Sequence, residues 1–155
     1  MALAFVFSLG VFQLMDRSEV APIALADAPS GGPAASRGET ISARFGLCSE
    51  GGGDPCVVDG DTLRYAGRRI RLLGIDTPEL HPARCPAEER LGQAAKLRMQ
   101  ALVNAGPFAL VADGRDTDRF GRDLRKAMRG DADLGLMLVS EGLARPYGDG
   151  RRSWC

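Results

Sequence analysis

The chain has 155 residues, of which 45% are apolar and 26% charged, the composition of a folded globular domain with an appendage. Its 20 basic and 20 acidic side chains cancel, and from residue 45 onward 17 basic side chains face 16 acidic ones. This excludes a protein that holds a polyanion by bulk charge, so any such recognition is local.

Residues 2–15, ALAFVFSLGVFQLM, carry no charge. The run is short for a membrane span of ~20 residues and suits the apolar core of an export signal. Ala24, Leu25 and Ala26 offer a cleavage site, although no basic residue precedes the run and the tripeptide lies well beyond it. A cleaved signal peptide, a short membrane anchor and a buried core helix stay open for residues 1–26. Export to the periplasm or the exterior is the expectation, with membrane contact only through this segment. Residues 27–44 are rich in Ala, Pro, Ser and Gly without an apolar period. They read as a flexible linker, which leaves 45–155 as the folded domain.

All four cysteines follow the linker, at Cys48, Cys56, Cys85 and Cys155. An even number in an exported chain suggests two disulfides. Cys48 and Cys56 flank the Gly-rich loop SEGGGDP, which closes easily, and that leaves Cys85 for Cys155. A zinc site lacks the expected Cys-x-x-Cys spacing; free buried thiols are the other alternative.

Residues 57–79, VVDGDTLRYAGRRIRLLGIDTPE, organise the rest. Two alternating segments, 62–65 and 69–75, flank a turn at Ala66 and Gly67 and predict a β-hairpin. A hairpin brings its outer ends together, so Asp59 and Asp61 meet Asp76 and Glu79, with Arg71 on the strand leading into that end. Converging carboxylates repel one another unless a cation sits among them, and a hard metal ion fits.

A helix follows, opening at Pro86 with Glu88 and Glu89 near its positive end. Leu91, Ala95, Met99 and Leu102 give its apolar stripe, and Asn104 to Gly106 end it. Phe108–Val111 reads as a buried strand and Asp123–Arg129 as a strand of poorer alternation. Leu134, Met137 and Leu138 predict a second helix closed by Gly142, and the tail ARPYGDGRRSWC is irregular. Short strands with an intervening helix fit an α+β fold: a five-stranded barrel of the oligonucleotide-binding (OB) type with two or three helices, after an N-terminal hydrophobic segment and linker.

Three blocks in order, VVDGDT, RLLGIDTPE and TDRFGR, followed by the weaker EGLARPY, resemble the thermonuclease, or staphylococcal nuclease-like, family over about residues 56–147. The resemblance implies a calcium-dependent nuclease, a hydrolase cutting the phosphodiester bonds of DNA and RNA, expected to act as a monomer. It implies that Asp61 and Asp76, with the backbone carbonyl of Thr77, hold Ca2+. Glu79 would serve the attacking water as general base or orienting acceptor. Arg71 and Arg122 would grip the scissile phosphate, with Gly121 letting the backbone turn before Arg122. Asp59 reads better as a turn former than as a ligand. Arg119 is expected at a terminal phosphate and Tyr147 near a base, although packing explains Tyr147 equally well. Where the family often carries Lys-Tyr, this chain has Arg119 and Phe120, and Phe120 offers no hydroxyl.

The proposed chemistry has independent support. A phosphodiester repels hydroxide, and a cation with two guanidinium groups neutralises the charge that grows on its oxygens. Arginine suits this task better than lysine because two N–H groups can follow two oxygens. The rivals are a non-catalytic nucleic-acid-binding OB module of the envelope and a calcium-stabilised structural domain. Binding alone does not need the acids, and a structural calcium site does not need the arginines.

Overall fold

The computed structural model describes residues 38–48, 53–150 and 152–155. The apolar run, the tripeptide 24–26 and most of the linker lie outside the described residues. Among those described, no helix is long and apolar enough to cross a membrane.

The described residues form strands β1 (Glu39–Ile41), β2 (Gly46–Leu47), β3 (Cys56–Asp59), β4 (Thr62–Tyr65), β5 (Arg68–Leu72) and β6 (Ile75–Asp76), then helix α1 (Pro86–Asn104), β7 (Phe108–Val111), β8 (Asp123–Arg129), β9 (Ala132–Asp133), helix α2 (Leu134–Ser140) and β10 (Arg145–Pro146). One curled mixed sheet runs β1-β7-β8-β5-β4-β3-β2, with β9 beside β8; β6 and β10 make a separate pair. The five strands of four residues or more, β3, β4, β5, β7 and β8, are the wall of the expected OB-like α+β fold, with α1 and α2 as its helices.

The hairpin β4–β5 forms as its pattern predicts. Tyr65 pairs with Arg68, and Ala66 and Gly67 both take positive φ, 50° and 74°. That is the geometry of a two-residue turn whose twist matches the flanking strands. The predicted second strand is interrupted, however. β5 stops at Leu72, Gly74 has φ 80°, and Ile75 and Asp76 restart as β6 against β10. The break carries Asp76 and Glu79 away from the sheet direction and towards the Asp61 turn. The tail is not wholly irregular either, since Arg145 and Pro146 pair with Asp76 and Ile75.

The folded region also begins before residue 45. Glu39–Ile41, assigned to the linker from composition, forms β1 along β7, with Ile41 opposite Phe108. Ile41 is 1% exposed and belongs to the main core. A three-residue strand carries too little pattern to be seen alone; it forms because β7 offers a free edge and the core a place for Ile41.

Ile70 and Leu72 point into the core, with Leu63, Met99 and Leu138 among their buried companions. Period-two geometry therefore turns Arg71 to the opposite face. The pattern of α1 holds for Ala95, Met99 and Leu102, all buried, while Leu91 is only half-buried. Cys85 caps its first turn, its Sγ accepting from the Glu88 N–H at 3.5 Å. Glu88 accepts the N–H of Arg84, the residue before the cap, at 2.6 Å, which fastens the chain entering α1 to its first turn. Asp133 caps α2, accepting from Gly135 and Leu136.

Both expected disulfides are present, Cys48–Cys56 and Cys85–Cys155. The first closes the Gly-rich loop. The second ties the tail to the residue that caps α1.

Candidate active site

The site is built at the open end of the hairpin. Asp59 makes the turn: its Oδ1 accepts the Asp61 N–H at 3.1 Å, which supports its reading as a turn former. The β3–β4 register shifts between Val57 and Asp59, a bulge that re-aims the strand end beside the site. Gly60 sits in the turn because nothing larger fits. A Cβ there would lie 2.8 Å from Ala95 Cβ and 2.8 Å from Thr77 Cγ2. Gly92 does the same from the helix, where a Cβ would meet the Pro78 carbonyl oxygen at 2.9 Å. Two glycines thus let the Asp61 turn, the Asp76–Glu79 segment and α1 close on one another.

Asp61 is 3% exposed. One carboxylate oxygen accepts the Thr77 N–H at 3.1 Å and the Thr77 hydroxyl at 2.9 Å. The other accepts the Thr62 hydroxyl at 3.1 Å and pairs with Arg71. Arg71 reaches Asp76 at 3.6 Å with its second terminal nitrogen, which also donates to the Ile75 carbonyl at 3.2 Å. One guanidinium therefore bridges the two carboxylates expected to hold a metal. Asp61 is spent on internal partners, whereas the Asp76 side chain is 49% exposed and faces solvent.

The electrostatics record a crowded anion site. Burial raises the Asp59 carboxyl above its ordinary value, with a hydrogen bond from Thr62 and the charges of Arg71 and Arg122 opposing. Glu79 stands on the rim. Desolvation by the groove, then the carboxylates of Asp59, Asp76 and Glu88, push it above an ordinary glutamate, against the pull of Arg71. Burial and the nearby Arg122 draw the Arg71 guanidinium down, while Asp59, Asp76 and Glu79 hold it up. Acids outnumber bases at this end, and a further cation would relieve the excess.

Arg122 arrives at the entry to the neighbouring strand. β8 runs parallel to β5, with Ile70 opposite Asp123, so the loop ending in Arg122 delivers it beside the strand that carries Arg71. Arg122 does not touch the acids of the hairpin. Its Nε pairs with Asp118 at 2.7 Å, and Asp118 also accepts the N–H groups of Phe120 and Arg122. Burial works to raise the Asp118 carboxyl, but these donors outweigh it and bring it to about 2. Gly121, at φ 74°, closes the loop. Asp118 is a residue the sequence reading passed over; its signal was the spacing of four to Arg122 within TDRFGR. Arg119 and Arg122 lie 4.7 and 5.6 Å from the centre of the Phe120 ring, and Phe120 is 65% exposed. Tyr147 is 74% exposed and lines a cavity with Asp76, Thr77 and Glu79.

Among the described residues, no three acidic, histidine or cysteine side chains stand close enough to cage a metal. The expected set needs only two carboxylates and a carbonyl, all oxygen donors, which suits a hard, large ion that keeps several waters. The position between Asp61 and Asp76 already accepts a cationic group, that of Arg71. The residues therefore fit calcium.

Residues 69–153 match the family model described as staphylococcal nuclease homologue. The thermonuclease of Staphylococcus intermedius is 33% identical over 93 residues, 57% of this chain and 55% of that protein. The thermonuclease of Staphylococcus hyicus is 31% identical over 93 residues, 57% of this chain and 54% of that protein. The succinoglycan biosynthesis protein ExoI of Rhizobium meliloti (strain 1021) is 32% identical over 97 residues, 59% and 50% of the two chains. The chain spans about half the length of the curated relatives it matches. The family match takes in Arg71, Asp76, Thr77, Glu79, Arg119, Arg122 and Tyr147 and covers more than half of the sequence, and the chain belongs to the staphylococcal nuclease homologue family.

Proposed function

We propose that this protein is a calcium-dependent nuclease, acting as a monomer outside the cytoplasm, that hydrolyses phosphodiester bonds of DNA and RNA by attack of water. The observation that carries the reading is the meeting of Asp61, Asp76 and Arg71 at one end of the hairpin, with Glu79 and Arg122 in the same electric field. Two relatives bear the name thermonuclease, which points the same way.

In this reading Asp61, Asp76 and the Thr77 carbonyl would hold calcium. Bound calcium would supply positive charge to the phosphodiester and its neighbouring water. Glu79 accepts a hydrogen bond from the attacking water, and its carboxyl, raised by burial and the neighbouring carboxylates, is a better base than an ordinary glutamate. Arg71 leaves Asp61 for a phosphate oxygen, and Arg122, held in place by Asp118, takes another. Both face charge that grows as the bond to water forms, so their contribution is larger in the transition state than in the bound substrate. Arg119 and Tyr147 hold flanking parts of the strand. Export is supported by the pairing of all four cysteines in disulfides, which persist in oxidising compartments.

The test is incubation of the purified, oxidised full chain with plasmid DNA and with RNA, in calcium and in chelator. Nicking and RNA cleavage in calcium alone are expected. A folded protein that binds DNA but cuts nothing is a binding module, and that outcome overturns the proposal.

A further inference from the structure

Glu88 is a fully buried carboxylate that takes no part in the chemistry above. A charge of this kind is costly to bury unless it is paired and hydrogen-bonded. Its partners come from the irregular segment between β6 and α1, which carries Glu79. The Arg84 N–H donates to one carboxylate oxygen at 2.6 Å. The Arg84 guanidinium donates to both oxygens, at 2.7 to 3.2 Å. The backbone N–H of Glu79 is a further, weaker donor to the same carboxylate. Arg84 itself is 60% exposed at its side chain and lines a cavity with Asp76, Thr77 and Glu79.

The helix meets this segment with one face. Glu88 and Gly92 stand one turn apart on α1. A Cβ at Gly92 would lie 2.9 Å from the Pro78 carbonyl oxygen and 3.1 Å from Leu80 Cδ2. The helix backbone is therefore pressed against the residues on both sides of Glu79. Ala95, three residues further on, meets the Gly60 turn that leads into Asp61. The contacts of Gly92 and Ala95 are packing contacts, and they set how near the segment lies. Glu88 supplies hydrogen bonds, which residues 79–84, outside any helix or strand, do not receive from a ladder. A side chain that must reach one water needs its backbone fixed, since a misplacement of about 1 Å costs roughly 100-fold in rate.

We propose that Glu88 is the positioning residue for Glu79: from the first turn of α1 its carboxylate fastens Arg84 and the Glu79 backbone, and so fixes where the Glu79 side chain stands in the cavity it shares with Asp76. The effect on cleavage rests on the nuclease activity proposed above; the fastening does not. Glutamine at this position keeps the volume and one acceptor oxygen but gives up the charge that holds Arg84.

Two measurements on the full, oxidised chain test this. In amide hydrogen exchange, Glu88→Gln should speed the exchange of residues 79–84 about tenfold while β5 exchanges as in the parent. In calcium, the same variant should lower kcat by roughly 10- to 100-fold, with KM within about twofold. A double-mutant cycle separates positioning from general support. If Glu88 acts through Glu79, adding Glu88→Gln to Glu79→Gln should change the residual rate by less than about twofold. The same loss in both backgrounds overturns the proposal, as does unchanged exchange of the segment. Where Glu88→Gln does not fold, Arg84→Ala removes the partner through an exposed side chain. It should speed the same exchange and lower kcat in the same sense, and Arg84→Lys should recover part of both. An Arg84→Ala variant that matches the parent in exchange and in rate overturns the proposal. Faster exchange in Glu88→Gln with no cleavage by the parent keeps the anchor and removes the nuclease; cleavage by the parent with unchanged exchange does the reverse.

Discussion

The backbone N–H and the hydroxyl of Thr77 both donate to a single carboxylate oxygen of Asp61, at 3.1 and 2.9 Å. This pair of bonds welds the VVDGDT block to the IDTPE block. It also gives Asp61 two duties, a structural one towards Thr77 and a proposed one towards calcium. Asp61→Asn should therefore lose both: about 1–3 kcal/mol of stability, the cost of leaving buried donors badly matched, and the rise in Tm that calcium gives the parent. Glu79 stands on the rim with no such internal bonds to lose. Glu79→Gln should keep the stability and the calcium-induced rise while single-turnover cleavage collapses. Equal calcium responses in the two variants would contradict the division of roles.

Arg71 and Arg122 should each matter to rate far more than to binding. Loss of one preorganised donor costs roughly 100- to 1000-fold in comparable sites, and lysine cannot restore a two-point grip. Arg71→Lys and Arg122→Lys are expected in that range in single-turnover assays. Arg71 also occupies the cation position between Asp61 and Asp76, so Arg71→Gln should bind calcium more tightly than the parent while cutting poorly, as calorimetry would show. Arg129 is a contrasting control. It donates to the Leu102 and Gly106 carbonyls at the end of α1, each at 2.7 Å, so its loss should lower Tm and leave the rate per folded molecule alone. Cleavage within about threefold of the parent in both lysine variants would remove the phosphate clamp.

Calcium should support cleavage and magnesium should not. Two carboxylates and a carbonyl leave a loose, partly hydrated site, which a large ion fills at variable geometry and a small octahedral one does not. Calcium at 100 times its Kd should add ~2.7 kcal/mol to stability by mass action. Urea titrations and nicking assays in each metal check both statements. Full activity in magnesium with calcium chelated would overturn the ligand set.

Gly60→Ala should be costly out of proportion to one methyl group. The new Cβ would press on Ala95 and on Thr77 at 2.8 Å, where the partner groups are side chains of a packed helix and of the site itself. Overpacking of this kind costs about 1–3 kcal/mol. Urea unfolding should show that loss, and cleavage should fall with it because Thr77 is displaced from Asp61. Wild-type stability in Gly60→Ala would mean that the turn can retreat from α1.

Acid should unfold the protein partly through two carboxylates that are not among the expected calcium ligands. Hydrogen bonds from the Arg84 side chain and backbone hold Glu88 at about 2, against 4.5 ordinarily. Asp118 is brought to about 2, against 3.8, by the donors that outweigh its burial. A carboxyl depressed in the native state contributes stability that is complete above its unfolded pKa and is lost as pH falls towards the native one. The parent should therefore lose stability from about pH 4.5 down to about pH 2. Glu88→Gln should start less stable at pH 7 and fall less steeply across that window. Parallel Tm–pH curves for parent and variant would rule out this source of acid lability.

Much of this molecule was legible from short-range chemistry. The Ala66–Gly67 turn, the alternation around it and the helical stripe through Ala95, Met99 and Leu102 depend on neighbours in the chain, so the sequence by itself determined the hairpin and α1. The hairpin return likewise sets Arg71 opposite Thr62, beside Asp61, and the even cysteine count anticipated both disulfides; the approach of Asp76 and Glu79 to that end came instead from the break after Leu72 and the pairing of β6 with β10. What the tertiary structure decided depends on partners that the chain does not name locally. Glu39–Ile41 looks like linker until β7 offers it an edge and the core takes Ile41. Arg71 could have paired with any acid; burial against two particular carboxylates made it their bridge. Asp118 became the holder of Arg122 only once Gly121 turned the loop. Trp154 came to line the same cavity as Asp76 only because a disulfide and a two-residue strand fasten the tail there. Local preferences are set by a few dihedrals and neighbouring side chains, whereas these placements follow from which surfaces the fold brings out of water together.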